Sequence, residues 1–188
     1  MHDGIFYTPY NEGMIRMITA GDRKVMHRVN RWTPPLWVRR WMVAASRAGD
    51  GWGWALVGVP VLLFGGERRL AALEAGFLAV GVGLLLFNAL KRVAGRTRPC
   101  ATETNCWATL LPPDRFSFPS GHTITAFAVA TPFSLFYPDA APLLVFGALS
   151  VAASRILLGL HFLSDVIAGV AIGCGLGFAA VSLVNGGL

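Results

Sequence analysis

Apolar residues in this chain gather into five long runs, and most of the charge lies outside them. Residues 51–66, 116–138, 140–154 and 166–188 contain no Asp, Glu, Lys or Arg, and residues 70–90 carry only Glu74. A helix needs ~20 predominantly apolar residues to cross the hydrocarbon core, with a range of about 17–25. The runs 116–138 and 166–188 reach that length, and 70–90 does so if Glu74 is tolerated. The runs 51–66 and 140–154 reach it with a few flanking residues. Gly65, Gly66, Glu67, Arg68 and Arg69 form a short polar turn between the first two runs.

The first 48 residues read differently. Arg16, Arg23, Lys24, Arg28, Arg31, Arg39, Arg40 and Arg47 are interspersed with Met14, Ile15, Met17, Ile18, Trp32, Leu36 and Trp37. No stretch of this kind crosses a bilayer without burying charge, so the pattern predicts amphipathic helices lying in the interface. Pro34 and Pro35 divide the segment into two helices. The expected architecture is all-α: a polytopic transmembrane helical bundle of five to six spans. Residues 1–48 supply amphipathic interfacial helices and residues 49–188 the transmembrane core. Gly169, Gly173 and Gly177 recur every fourth residue in the last run, a small-residue stripe that lets membrane helices approach closely.

Composition strengthens this reading. Hydrophobic residues make up 54% of the 188, and charged residues only 14%. A soluble domain carries about 25% charged residues, so the charge here is too sparse to coat a water-soluble globule. The net charge of +6 sits between apolar stretches. Anionic head groups or a phosphate substrate therefore fit it better than nucleic acid, which asks for a solvated basic face. The N-terminal residues show no continuous apolar stretch of the signal-peptide kind. Cys174 lies within an apolar run and reads as packing. Cys100 and Cys106 bracket a polar loop, as a short disulfide or as two free thiols.

Polar residues at membrane depth are expensive and ask for a reason. They collect in three places: Lys91 to Pro99 (KRVAGRTRP), Pro119 to His122 (PSGH) and Ser154 to Asp165 (SRILLGLHFLSD). If the runs alternate in direction, all three lie at one membrane face. Lys91, Arg98, Arg155, His122, His161 and Asp165 then share a site. Three cations around one point imply a multiply charged anion, and the arginine fork matches phosphate oxygens. Ser120 and Gly121 begin the third helix, where free backbone N–H groups favour an anion. Two histidines can divide the labour as nucleophile and acid. If helical, His161 and Asp165 lie one turn apart, so Asp165 can accept a hydrogen bond from one ring nitrogen and leave the other to attack. Arg92, Arg96 and Arg115 read as interfacial anchors. No zinc-ligand spacing is present.

These segments resemble the three signature motifs of the type-2 phosphatidic acid phosphatase superfamily. Lys91, Arg98 and Pro99 match Lys, six residues, Arg-Pro. Pro119, Ser120, Gly121 and His122 match Pro-Ser-Gly-His. Ser154, Arg155, His161 and Asp165 match Ser-Arg, five residues, His, three residues, Asp. The resemblance spans roughly residues 50–186. It implies an integral-membrane lipid phosphatase that needs no metal or other cofactor. His161 would form a phosphohistidine, Asp165 would orient it, and His122 would protonate the leaving alcohol and then activate water. Lys91, Arg98, Ser120, Gly121 and Arg155 would hold the phosphate.

The motifs meet the phosphate and do not choose the lipid. Undecaprenyl diphosphate, phosphatidic acid, phosphatidylglycerol phosphate and lipid A phosphate all fit, with membrane lipids as surroundings and no protein or nucleic-acid partner indicated. A lipid-phosphate transferase and a non-catalytic lipid-binding protein on the same scaffold are the alternatives. The resemblance implies a bacterial inner-membrane protein with its site facing the periplasm. The positive-inside rule points the other way, since only Arg68 and Arg69 fall opposite the site.

Overall fold

A computed structural model describes residues 9–102 and 116–186, and these are helical apart from short connections. The helices are α1 (Pro9–Arg31), α2 (Leu36–Ala48), α3 (Trp52–Phe64), α4 (Arg69–Ala94), α5 (Pro99–Thr102), α6 (Gly121–Phe136), α7 (Ala141–Leu157) and α8 (Leu163–Gly186). Single 3-10 turns at Gly66–Arg68 and Pro138–Ala140 lead into α4 and α7. The expected break at Pro34 and Pro35 falls between α1 and α2. Cys106, Arg115 and most of the polar loop lie outside the described residues, and with them the question of a Cys100–Cys106 bridge.

The five apolar runs become α3, α4, α6, α7 and α8. Among the described residues, three helical stretches are long and apolar enough to cross a membrane: Gly66–Ala94, Pro138–Leu157 and Leu163–Gly186. The other two are shorter. α3 has 13 residues and α6 has 16, about 20 and 24 Å at 1.5 Å per residue, against a hydrocarbon core of ~30 Å. Gly65 closes α3. α6 starts only at Gly121, because residues 116–120 preceding it are not helical.

α6 tolerates its polar start because protein surrounds it. It packs on α8, α4 and α7, and Thr123, Ile124 and Ala126 to Ala130 are buried. Backbone groups at membrane depth are tolerated where they are enclosed by protein or line a cavity. The glycine stripe of α8 makes this packing possible. A Cβ on Gly173 would stand 2.6 Å from the Ile124 carbonyl oxygen, and one on Gly177 would stand 2.6 Å from Thr131 Cβ. α4 ends on Gly95, whose positive φ of 57° suits glycine and lets its N–H close on the Lys91 carbonyl.

α2 leans across α7. Met42 packs with Leu158 and Leu160, and the Trp41 and Phe146 rings lie 5.7 Å apart. Leu36 and Trp37 on the same helix are exposed. α1 touches the start of α8 and buries Asp22 and Met26. α3 buries none of its side chains fully, and a cavity separates part of it from the bundle.

Candidate active site

Two strands of irregular chain bring the first two motifs together. Thr97 and Phe116 form an antiparallel bridge, the Ser117 N–H donates to the Arg96 carbonyl at 2.7 Å, and the Ser117 hydroxyl donates to the Thr97 carbonyl at 3.2 Å. The third motif joins through the turn after α7. There the N–H groups of Leu160 and His161 both donate to the Arg155 carbonyl at 3.0 Å, and Gly159 adopts a φ of 71°. Arg98 closes the set by donating to the Leu160 carbonyl at 2.8 Å.

His161 is held from both sides of its ring. Its Nδ1 lies 2.6 Å from the Ser117 carbonyl, which can only accept, so Nδ1 carries the proton. Its Nε2 lies 3.0 Å from Nη1 of Arg98, which can only donate, so Nε2 presents its lone pair. Burial, with the charges of Arg155 and Arg98 adding to it, pushes the imidazole pKa down to about 4 against the pull of Asp165. The ring is therefore neutral at ordinary pH, with one nitrogen unprotonated and directed toward a guanidinium. That is the state a nitrogen nucleophile needs.

Asp165 does not act through the helical spacing expected for it. His161 lies in the turn before α8, not within the helix. Its Nδ1 is 3.7 Å from Oδ2 of Asp165, an electrostatic neighbour rather than a hydrogen-bond partner. The Asp165 carboxylate instead accepts the Phe162 N–H at 2.8 Å and Nη1 of Arg96 at 2.7 Å. It fixes the turn that carries His161.

Arg96 is not an interfacial anchor. It donates to Asp165, to the Ser164 hydroxyl at 2.7 Å and to Oδ2 of Asp22 at 2.6 Å, and its guanidinium lies 4.2 Å from the Phe162 ring centre. Asp22 comes from α1 and also accepts the Ser164 N–H at 3.0 Å, in the first turn of α8. A carboxylate at this helix end is favoured by the exposed N–H groups.

The remaining predicted residues divide into two groups. Lys91, Arg98, Gly121, His122, Arg155 and His161 line one cavity of about 960 Å³. Lys91 stands over the Phe87 ring at 4.5 Å, and Nη1 of Arg155 lies 2.5 Å from the Ser46 hydroxyl of α2. Ser120 and Asp165 stand behind this surface. The Ser120 N–H is taken by the Asp165 carbonyl at 3.1 Å, and its hydroxyl receives Thr123 at 2.9 Å. The free N–H expected at Ser120 is thus already used, while Gly121 faces the cavity.

His122 meets a partner that no motif or spacing in the chain points to. Its Nε2 lies 2.7 Å from Oδ1 of Asp50, in the loop joining α2 to α3. Away from these polar groups the cavity is apolar. It continues between α3, α4 and α6 past Phe87, Leu84, Val80, Phe77 and Leu73. From Lys91 to Leu73 this covers about 27 Å along α4.

A membrane-type helical bundle therefore presents a cationic, histidine-bearing pocket at one end of a long apolar groove. Residues 73–186 match the PAP2 superfamily. The chain belongs to that superfamily. It is 33% identical over 150 residues to decaprenylphosphoryl-5-phosphoribose phosphatase of Mycobacterium tuberculosis, covering 78% of this chain and 82% of that protein. It is 40% identical over 101 residues to lipid A 1-phosphatase of Porphyromonas gingivalis, covering 50% of this chain but only 20% of that protein's length. The crystal structure of LpxE from Aquifex aeolicus superposes with a TM-score of 0.70 at 26% identity, over 85% of this chain and 93% of that one. The chain is an integral membrane protein by its apolar helices and its relatives.

Proposed function

We propose that this chain is a membrane lipid phosphatase acting through a phosphohistidine on His161. The observation that carries the reading is the state of that ring: neutral, with Nδ1–H fixed on Ser117 and the Nε2 lone pair beside Arg98 in a pocket also lined by Lys91 and Arg155. In this reading Lys91, Arg98 and Arg155 hold the phosphate oxygens, together with the first turn of α6 at Gly121, which Ser120 supports from behind the cavity wall. Asp165 positions the turn that bears His161.

The chemistry runs in two displacements. The Nε2 lone pair of His161 forms a bond to phosphorus as the phosphorus–oxygen ester bond breaks. The leaving oxygen keeps that electron pair and takes a proton from His122. Water then attacks the phosphohistidine, losing a proton to His122, and the phosphorus–nitrogen bond breaks with its electrons returning to Nε2. Positioning and charge neutralisation supply most of the catalysis of such a transfer.

The substrate class follows from the groove. An apolar channel leading away from a phosphate pocket suits a lipid whose tail stays in the bilayer, a polyprenyl phosphate or diphosphate or a phospholipid phosphate. A relative of which this chain covers 82% is named for a decaprenyl-linked phosphate, which favours a polyprenyl tail. α1 and α2 lie in the interface as amphipathic helices. The site faces the periplasm of a bacterial inner membrane, following the usual orientation of the family. A Val93→Cys variant in a cysteine-free background tests this, because Val93 is exposed near the site end of α4. An impermeant maleimide should label it in intact cells.

The deciding experiment is phosphate release from a panel of lipid phosphates by purified protein in detergent with EDTA, for wild type and His161→Ala. Release that survives the chelator and vanishes in the variant supports the reading. No release from any lipid sinks it and turns attention to transfer onto a second lipid or to binding alone.

A further inference from the structure

The loop between α2 and α3 is built against His122. Gly49 is buried, and a Cβ there would stand 3.0 Å from Cδ2 of His122 and 3.0 Å from Cγ1 of Val151. A side chain there would press on the ring and on Val151, so glycine suits this close approach. Gly51, with a φ of 105°, turns the chain away into α3. Between the two glycines, Asp50 directs Oδ1 to within 2.7 Å of His122 Nε2 while its side chain stays 55% exposed at the cavity mouth. The close backbone at Gly49 and the carboxylate of Asp50 thus meet the same ring, and the carboxylate holds it.

We propose that Asp50 is a positioning residue for proton transfer by His122, an assignment that rests on the phosphatase reading above. A carboxylate only accepts, so it selects the His122 tautomer protonated on Nε2. No protein partner occupies Nδ1 of His122 among the described residues, so Nδ1 is the nitrogen that takes up and gives back the proton. When His122 is protonated, the Asp50 charge stabilises the imidazolium, and the Nδ1 proton passes to the leaving alkoxide as the ester bond breaks. In the second step Nδ1 receives the proton of the attacking water. An orienting carboxylate of this kind is a recurring partner of a catalytic histidine.

The test compares wild type, Asp50→Asn and Asp50→Glu on alkyl lipid phosphates and on p-nitrophenyl phosphate. The aryl leaving group departs without needing a proton, so it reports phosphoryl transfer with the acid step removed. Asp50→Asn should lower kcat/KM on the lipid by about tenfold to a hundredfold, a part of the 10²–10⁴ that general acid catalysis contributes. The loss on the aryl ester should be at least about tenfold smaller, and Asp50→Glu should restore part of the lipid activity. Histidine-selective 15N spectra of the detergent-solubilised protein give a readout without turnover. They should show His122 protonated on Nε2 in wild type and a mixture of tautomers in Asp50→Asn. Equal losses on both substrates, a rise in activity on removing the carboxylate, or an unchanged His122 tautomer would overturn the assignment. Failure of wild type on every lipid would count against the phosphatase reading instead, leaving the tautomer measurement to judge Asp50.

Discussion

Nη1 of Arg96 lies 2.7 Å from Oδ1 of Asp165, and the same guanidinium reaches Asp22 with its other terminal nitrogen. Asp22 and Asp165 are nearly fully buried, with side-chain exposures of 3% and 0%. Removing the cation leaves two carboxylates out of water and unpaired. Breaking a buried pair in this way typically costs about 3–5 kcal/mol. Arg96→Ala should therefore lower the unfolding midpoint in detergent by many degrees and abolish phosphate release. Arg96→Lys keeps the charge but cannot bridge both carboxylates and Ser164. It should retain the fold and lose about tenfold in kcat, read by phosphate release at saturating lipid.

Asp22→Asn probes the other end of the same network. The carboxamide preserves shape and removes the charge that caps α8 and meets Arg96. A loss of about 1–3 kcal/mol in stability is expected, together with a drop in kcat, since the turn bearing His161 is secured through Arg96 and Asp165. Denaturant titration and steady-state kinetics on one preparation separate the two effects. Full activity in Asp22→Asn would mean that α1 has no part in positioning His161.

The buried imidazole of His161 sets an acid limit to stability. Its pKa is about 4 in the folded protein against 6.5 in its absence, so between these values the unfolded chain binds the extra proton. The contribution is present in full above pH 6.5, is lost as pH falls toward about 4, and then levels off. The slope approaches about 1.4 kcal/mol per pH unit within that window. Replacing His161 by Gln should flatten this limb in denaturant titrations across pH 4–7. An unchanged slope would mean that His161 titrates normally.

Filling the groove should discriminate between substrates by tail. A Cβ at Gly58 meets only Leu73 Cδ2, at 3.9 Å, so a larger side chain has room to enter the channel between α3 and α4. Gly58→Phe should raise KM for a long-tailed lipid phosphate at least about tenfold. A short-chain water-soluble phosphate should change by less than about threefold, because the phosphate pocket near Lys91 lies far along α4. Parallel losses on both substrates would argue that the tail lies elsewhere.

The glycine stripe gives a prediction about folding alone. A methyl group at Gly173 collides with the Ile124 carbonyl and with Phe127 Cβ, at 2.6 and 2.8 Å. Neither backbone nor Cβ can swing aside, so Gly173→Ala should destabilise by about 1–3 kcal/mol. Gly175 has open space around it, and Gly175→Ala should be near neutral. Thermal melts of the two variants check the contrast.

The parts legible in the sequence are those encoded by local pattern. Runs of apolar residues mark α3, α4, α6, α7 and α8, and Pro34 and Pro35 mark the break between α1 and α2. The spacings within the three motifs identify the cavity-lining cations and both histidines. What escaped depends on pairings across long stretches of chain. Arg96 sits among Lys91, Arg92 and Arg98, and nothing in that basic run distinguishes a side chain turned inward from one at the head groups. Asp22 lies in a charged helix and Asp50 between two glycines, patterns that read as a solvated face and a turn. The spacing of His161 and Asp165 suggested a helical pair. The structure starts α8 two residues too late for that, because Asp165 is occupied with the Phe162 N–H.

The channel beside α3 bears on how the rate must be measured. On the proposed lipid-phosphatase reading, the apolar wall along about 27 Å of α4 lets the substrate enter by sliding sideways within the leaflet, without passing through water. The encounter is then two-dimensional, and the quantity that saturates the enzyme is the mole fraction of substrate among surrounding lipids or detergent. Diluting a fixed amount of substrate with inert amphiphile should slow the reaction even when its bulk concentration stays the same.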